Sequence, residues 1–218
     1  MPALLFDFDG VLVDSEPMHE AALLAALNEV GMTFTHEQYL AKLMGFGDFD
    51  CFNAVAAMQG RTLTSDDHAD LARRKWTHAQ RAIAAGAVKP YDATINLLRE
   101  ASQSLPTAIC SGALRHEICA ILEQLGVAHL PRVITTADDT PRSKPHPAPY
   151  RLTCDRLGIP PRECVTIEDT PKGIASAKAA GVRVVGVCHS LPAERLSEAD
   201  LIVNSTADLT LSQLLQLL

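Results

Sequence analysis

Two carboxylates stand two residues apart near the start of the chain, in Asp7-Phe8-Asp9-Gly10-Val11. An apolar run from Ala3 to Phe8, interrupted only by Asp7, leads into them. A run this short, stopped by Gly, predicts a buried strand. On an extended chain a spacing of two turns both acids to one side. Neighbouring carboxylates repel, and one is driven towards its neutral form unless a cation joins them. A hard divalent ion with oxygen ligands meets that demand. The plainer alternative is a pair of acids capping a turn.

A second acidic pair, Glu168-Asp169, follows Val165-Thr166-Ile167. In a parallel sheet this strand end can lie beside the first. Thr170-Pro171 then opens a helix, with Pro suited to its first turn. Asp169 or Thr170 could serve there as an N-cap, which is compatible with binding a metal. Ser111-Gly112 follows Cys110. A hydroxyl and a backbone N–H at a strand end suit a phosphate oxygen, though Ser-Gly is also an ordinary turn. Lys144 lies in the Pro-rich loop from Thr140 to Pro149, and Pro145 predicts extended backbone at the lysine. A cation presented there would offset the acids and a phosphate. A solvated surface lysine is the alternative.

Positioning these groups requires a particular scaffold. Beside the first strand, Thr107–Cys110, Cys164–Ile167 and Val182–Val187 read as short buried strands, with Arg132–Thr135 and Leu201–Val203 as weaker ones. Helical stretches separate them: 92–105, 116–125, 147–157 and 171–180. Gly158 and Gly181 are apt helix stops. Short buried strands alternating with helices predict βαβ units, hence an α/β fold: a Rossmann-like parallel-sheet core with helices on both faces. Such folds place their ligands at the C-terminal edge of the sheet.

Residues 16–87 break the rhythm. Stretches 16–30, 35–43, 49–59 and 65–87 read as helices with no convincing strand among them. The organisation expected is a core of residues 1–15 and 88–218 with a helical insert over 16–87, and Gly86 to Pro90 as the return hinge. A single mixed domain with a helical flank is the simpler alternative.

The 218 residues are 47% hydrophobic, enough for a sizeable core. A net charge of −7 argues against a nucleic-acid binder, which needs a basic footprint. Six cysteines, none in a CxxC pair, fit reduced buried thiols better than disulfides or zinc ligands. No apolar run approaches the roughly 20 residues of a membrane span. The start lacks a basic region followed by a long apolar core. The expectation is a soluble, cytoplasmic monomer that binds neither membrane nor nucleic acid.

Taken together, in this order and on these strands, the four elements resemble the four motifs of the haloacid dehalogenase superfamily. Asp7-Phe8-Asp9-Gly10-Val11 is similar to the first, Ser111 to the second, Lys144 to the third and Glu168-Asp169 to the fourth. The stretches 7–15, 144–145 and 168–174 are the specific parts, and the resemblance spans essentially the whole chain. The helical insert resembles the family's helical cap, and the pattern is similar to the β-phosphoglucomutase-like phosphatases. The resemblance implies that Asp7 is a nucleophile forming an aspartyl-phosphate and that Asp9 is the general acid and base. It implies Mg²⁺ held by the Asp7 carboxylate, the Asp9 carbonyl and Asp169, with Glu168 as a further ligand. It implies that Ser111, the Gly112 N–H and Lys144 bind phosphoryl oxygens. The substrate implied is a small phosphorylated metabolite, such as a sugar phosphate.

Within that family Asp9 argues for phosphate rather than carbon–halogen chemistry. Neither Lys42 nor Lys75 has the setting of the Schiff-base lysine that phosphonate hydrolysis would need. His19 stands where the mutases carry a histidine, and two readings remain: it touches a substrate hydroxyl, or it is a half-exposed helix residue. Met44-Gly45-Phe46-Gly47-Asp48 carries an acid where mutases place an arginine, which disfavours a second phosphate. Phe46 and Phe49 either meet the organic part of a substrate or pack the insert's own core. Arg73, Arg74 and Lys75 read as a solvated helix face. The alternatives to a phosphatase are a phosphosugar mutase and a non-catalytic phosphate-binding regulator. The second is disfavoured because all the motif acids are present.

Overall fold

In a computed structural model of the protein every residue except Gly45 is described. Along the chain the elements are β1 (Ala3–Phe6), β2 (Val13–Asp14), α1 (Glu16–Asn28), α2 (His36–Lys42), α3 (Asp48–Met58), α4 (Ser65–Ala84), β3 (Lys89–Pro90), α5 (Asp92–Ser102), β4 (Thr107–Cys110), α6 (Arg115–Gln124), β5 (Val133–Thr135), α7 (Ala148–Leu157), β6 (Cys164–Glu168), α8 (Pro171–Ala180), β7 (Arg183–Val187), β8 (Leu201–Val203) and α9 (Leu211–Leu215). They form two compact units, Met1–Asp14 with Lys89–Leu218, and Ser15–Val88.

The first unit is α/β. Six parallel strands run in the order β5-β4-β1-β6-β7-β8. The first strand thus sits centrally, with Leu5 paired to Ala108 on one side and to Thr166 on the other. Ala3 and Leu5 pack with Tyr150 and Cys154 of α7 and with Ile174 and Ala177 of α8. Their alternates Leu4 and Phe6 are equally buried, so both faces of β1 are covered, as a parallel sheet demands. Gly158 and Gly181 end α7 and α8 in the left-handed conformation that glycine adopts without strain. A two-stranded antiparallel ribbon, β2 with β3, pairs Val13 with Pro90 and Asp14 with Lys89. Its strands are two residues long, too short for any alternation to register in the sequence.

The strand before the first acids is shorter than its apolar run. It ends at Phe6. The Asp7 N–H still donates to the Ile167 carbonyl at 3.0 Å. The Phe8 carbonyl then accepts the N–H groups of Leu12 and Val13 at 2.9 and 3.2 Å, so the chain turns. Asp7 and Asp9 therefore occupy a loop past the strand end, and the same-side argument for an extended pair does not apply to them. The backbone at Lys144 also differs from expectation: it lies in a turn, and the Lys144–Pro145 peptide is cis.

The second unit consists of α1 to α4. Leu27, Met32, Phe52 and Val55 are buried with Leu23, Phe34, Tyr39, Leu43 and Leu71 in a core of its own. Thr35 and Thr64 cap α2 and α4, each accepting the N–H three residues on and receiving the side chain of that residue in return. In the segment 44–48, Gly45 lies outside the described residues. Phe46 and Phe49 are 53% and 58% exposed, and the Phe49 ring meets His68 edge-on.

The basic cluster 73–75 is not uniformly solvated. Arg73 and Arg74 pair with Asp70, and Arg74 also with Glu29. Lys75, however, is buried, paired with Asp48 and 3.4 Å from Nδ1 of the half-buried His19. Its position on the inward stripe of α4, with Leu71 and Ala79, explains the difference. Sequence hydropathy assigns any lysine to water.

Candidate active site

The first candidate side chains meet at the C-terminal ends of neighbouring strands. Asp7 follows β1, Glu168 closes β6 and Asp169 follows it. Because β1 and β6 pair in register up to Phe6 and Ile167, their exits are side by side. All three acids are buried, with one carboxylate oxygen from each lying within 4.8 Å of the others. Lys144 reaches them from the loop before α7. Its ammonium donates to Asp7 Oδ1 at 2.8 Å, to Glu168 Oε1 at 2.7 Å and to the Cys110 carbonyl at 2.8 Å. Those contacts use all three of its protons. The lysine is thus a half-buried partner of the acids, with its side chain 11% exposed, and not a surface charge.

One cation among three acids leaves the cluster short of positive charge. Burial raises the pKa of Asp7, and Lys144 opposes that while Asp9 adds to it. Burial, followed by the charge of Asp7, likewise raises Glu168 and Asp169. Burial alone would lower the Lys144 pKa, but Asp7 and Glu168 outweigh it and the ammonium persists well above its ordinary range. Two carboxylate oxygens, Glu168 Oε2 and Asp169 Oδ1, are buried without a hydrogen-bond partner. Buried polar atoms are ordinarily paired, and an orphaned carboxylate oxygen is costly. The donor set is all oxygen and the charge is in deficit. A hard cation fits both facts.

Several neighbours that sequence reasoning did not single out hold these acids in place. The Tyr150 hydroxyl donates to Glu168 Oε1, and the Lys144 ammonium stands 5.2 Å from its ring centroid. Gly173 in α8 leaves room for the Glu168 carboxylate, which occupies the space where a Cβ would project. Ser190, just past β7, donates its hydroxyl to Asp169 Oδ2. None of the three carries a sequence signal of its own. Gly173 falls inside a quoted motif, but its reason is steric and visible only once Glu168 is placed.

Of the remaining candidates, Asp9 is half-buried in the loop after Asp7, and its backbone bridges to Val13. Its charge is near enough to raise the Asp7 pKa. Ser111 is buried past the end of β4, and its hydroxyl accepts the Ala113 N–H at 3.0 Å. Gly112 is exposed, and a Cβ added there would meet nothing within 4 Å. The Cys110 carbonyl, one residue earlier, is bonded to Lys144, so this strand end borders the cluster. Thr170 caps α8 by accepting the Gly173 N–H at 3.2 Å, which leaves Asp169 to the acid cluster. His19 belongs to the helical unit, beside Lys75.

Comparison with known proteins gives this arrangement its class. The profile of the haloacid dehalogenase-like hydrolases matches residues 4–187, and the chain belongs to that family. Among its curated relatives, the fructose-1-phosphate phosphatase YqaB of Escherichia coli (strain K12) is 32% identical over 184 residues, covering 84% of this chain and 95% of the relative. Hexitol phosphatase A of the same strain is 31% identical over 215 residues, covering 96% and 93%. The crystal structure of CbbY from Rhodobacter sphaeroides in complex with phosphate superposes with a TM-score of 0.88 at 26% identity, covering 98% of this chain and 99% of that one. No helix among the described residues is long and apolar enough to cross a membrane.

Proposed function

We propose that this protein is a Mg²⁺-dependent phosphatase that hydrolyses a small organic phosphomonoester, of the sugar or polyol phosphate kind, through a phosphoryl group carried on Asp7. The observation that carries the reading is the charge deficit around Asp7. Three buried acids share one lysine, and two of their oxygens are unpartnered. The relatives named for fructose 1-phosphate and hexitol phosphates support the substrate class.

In this reading an Asp7 carboxylate oxygen attacks phosphorus in line, and the ester P–O bond breaks as the Asp7–phosphorus bond forms. Lys144 holds the other oxygen in place through its contact with Oδ1, so attack falls to Oδ2. Asp9 gives its proton to the departing alkoxide. Asp9, now ionised, takes a proton from water as that water attacks the phosphorus on Asp7. Inorganic phosphate leaves and Asp7 returns as a carboxylate. The Ser111 hydroxyl and the Gly112 N–H bind phosphoryl oxygens. Asp7, the Asp9 carbonyl, Asp169 and Glu168 would hold the Mg²⁺, which supplies charge neutralisation between nucleophile and phosphoryl group.

The test is a phosphate-release screen over small phosphomonoesters with Mg²⁺ present. The expected result is turnover of at least one sugar or polyol phosphate by the wild type, lost on adding a chelator. Asp7→Asn should lower kcat by about 10⁶-fold, the scale seen when a nucleophile is removed. Near-normal release by Asp7→Asn would remove Asp7 from the role of nucleophile.

A further inference from the structure

We propose that Ser190, braced by His189, is a positioning residue that orients Asp169 towards a divalent cation. The proposal rests on the phosphatase reading and extends it to the loop after β7, which none of the four motifs includes.

The sheet order places β6 between β1 and β7. The loop after β7 reaches across the end of β6 to the loop after β1 and touches both. Ser190 donates to Asp169 Oδ2, while Asp169 Oδ1 is buried without a partner. One oxygen is therefore fixed by a neutral donor and the other is left for a ligand. Gly10, in the left-handed region at φ +75°, packs directly on this pair. A Cβ there would collide with both the Asp169 carboxylate and the Ser190 hydroxyl. The adjacent ring of His189 lies with Nδ1 2.9 Å from the Gly10 carbonyl oxygen. A carbonyl only accepts, so Nδ1 carries the proton and donates it. Tyr91 stacks on that ring, with centroids 3.9 Å apart and planes 13° from parallel. The Tyr91 N–H in turn bonds the Leu12 carbonyl at 2.9 Å. The two residues past β7 thus pin the loop that carries Asp7 and Asp9 and the carboxylate of Asp169.

A carboxylate that ligates a cation is otherwise free to rotate about its last torsion. A donor on one oxygen removes that freedom, and losing such an outer partner costs about 10–100-fold in metal affinity or activity.

The experiment measures Mg²⁺ binding to the substrate-free protein by calorimetry, together with phosphate release as a function of Mg²⁺ concentration. Ser190→Ala should raise the Mg²⁺ Kd about tenfold. Its KM for the phosphomonoester at saturating Mg²⁺ should stay near the wild-type value. Ser190→Thr, which keeps the hydroxyl, should recover most of the affinity. His189→Phe keeps a ring against Tyr91 but loses the Nδ1 donor, and should weaken Mg²⁺ binding less than Ser190→Ala. Unchanged Mg²⁺ affinity in Ser190→Ala, in a wild type that binds the ion, would overturn the role of Ser190 alone. Equal weakening by Ala and Thr would do the same. A wild type that neither binds Mg²⁺ nor needs it for phosphate release would overturn the phosphatase reading itself.

Discussion

Each unit buries charge, but the two do so differently. In the α/β unit three buried acids, Asp7, Glu168 and Asp169, share one hydrogen-bonded cation, Lys144. In the helical unit a buried lysine, Lys75, meets one acid, Asp48. The first cluster leaves acid oxygens unpartnered, whereas neither Lys75 nor Asp48 has an orphaned buried atom. Buried charge is costly unless paired. A matched pair is therefore explained by the fold alone. An unmatched excess is relieved by protonating an acid or by taking up a cation. That difference, more than burial itself, separates a site from a structural ion pair.

The sharpest way to break the contrast is to remove the cation from the excess. Lys144→Met should lower kcat/KM by about 10²–10³-fold, the scale for losing one electrostatic group at a reacting centre. It should also destabilise the fold, because three acids would be left with no cation. Phosphate release and urea unfolding measure the two effects. A variant with near-normal turnover would show that Lys144 is not part of the working site.

The next effect belongs to the matched pair. Asp48→Leu strands a buried ammonium and should cost about 3 kcal/mol of stability, as breaking a buried pair from one side does. Lys75→Met should cost less, about 1 kcal/mol, because Asp48 is 29% exposed and can regain water. The double variant Asp48→Leu with Lys75→Met should lie within about 1 kcal/mol of wild type, because it removes both charges together. Urea unfolding of the four proteins closes the cycle. Additive losses in the double variant would mean that the two residues act separately.

The smallest effect tests balance at the surface of the α/β unit. Asp139 bonds Arg156 at 2.7 Å and Arg115 at 2.6 Å. The Arg156 hydrogen bond, helped by donors on Thr136 and the charge of Arg115, holds its carboxyl well below the usual carboxylate range. A depressed folded-state pKa stabilises above the unfolded value of about 3.9, and the gain is lost as pH falls towards the lower folded value. The guanidinium partners are 43% and 37% exposed, so screening limits the gain. Asp139→Asn should cost about 1 kcal/mol at pH 7, a gap that narrows between about pH 4 and pH 2. A gap unchanged down to pH 2 would show that the pairing is not ionic in origin. Phosphate release at pH 7 should stay at the wild-type level.

Much of this was legible from residue order. The six strands and their helices followed from short apolar runs punctuated by Gly and Pro. Leu201–Val203 and Thr107–Cys110 match the expected bounds, as does Pro171–Ala180. Local chemistry sufficed because buried strands and capped helices announce themselves within a few residues. Three of the four motif positions were legible for the same reason: Asp7, Ser111 and Glu168-Asp169 stand at strand ends, whereas Lys144 was marked only by its Pro-rich loop. The ribbon of β2 and β3 was not, because four residues pairing across the whole helical insert leave no local pattern. Lys75 was misplaced because the side a helical lysine faces depends on what packs against it.

The sequence by itself put carboxylates and a hydroxyl at the ends of expected strands and a lysine in a Pro-rich loop. Short apolar runs stopped by Gly or Pro carry that information along the chain. Only the tertiary structure decided which of them share one charge deficit. Asp7, Lys144 and Glu168 are far apart in sequence, and pairing across the sheet brings them within hydrogen-bond reach. Tertiary structure alone also added Tyr150, Gly173, His189 and Ser190. Their roles come from meeting a carboxylate or a carbonyl in space, and electrostatics and sterics act through distance, which residue order does not contain.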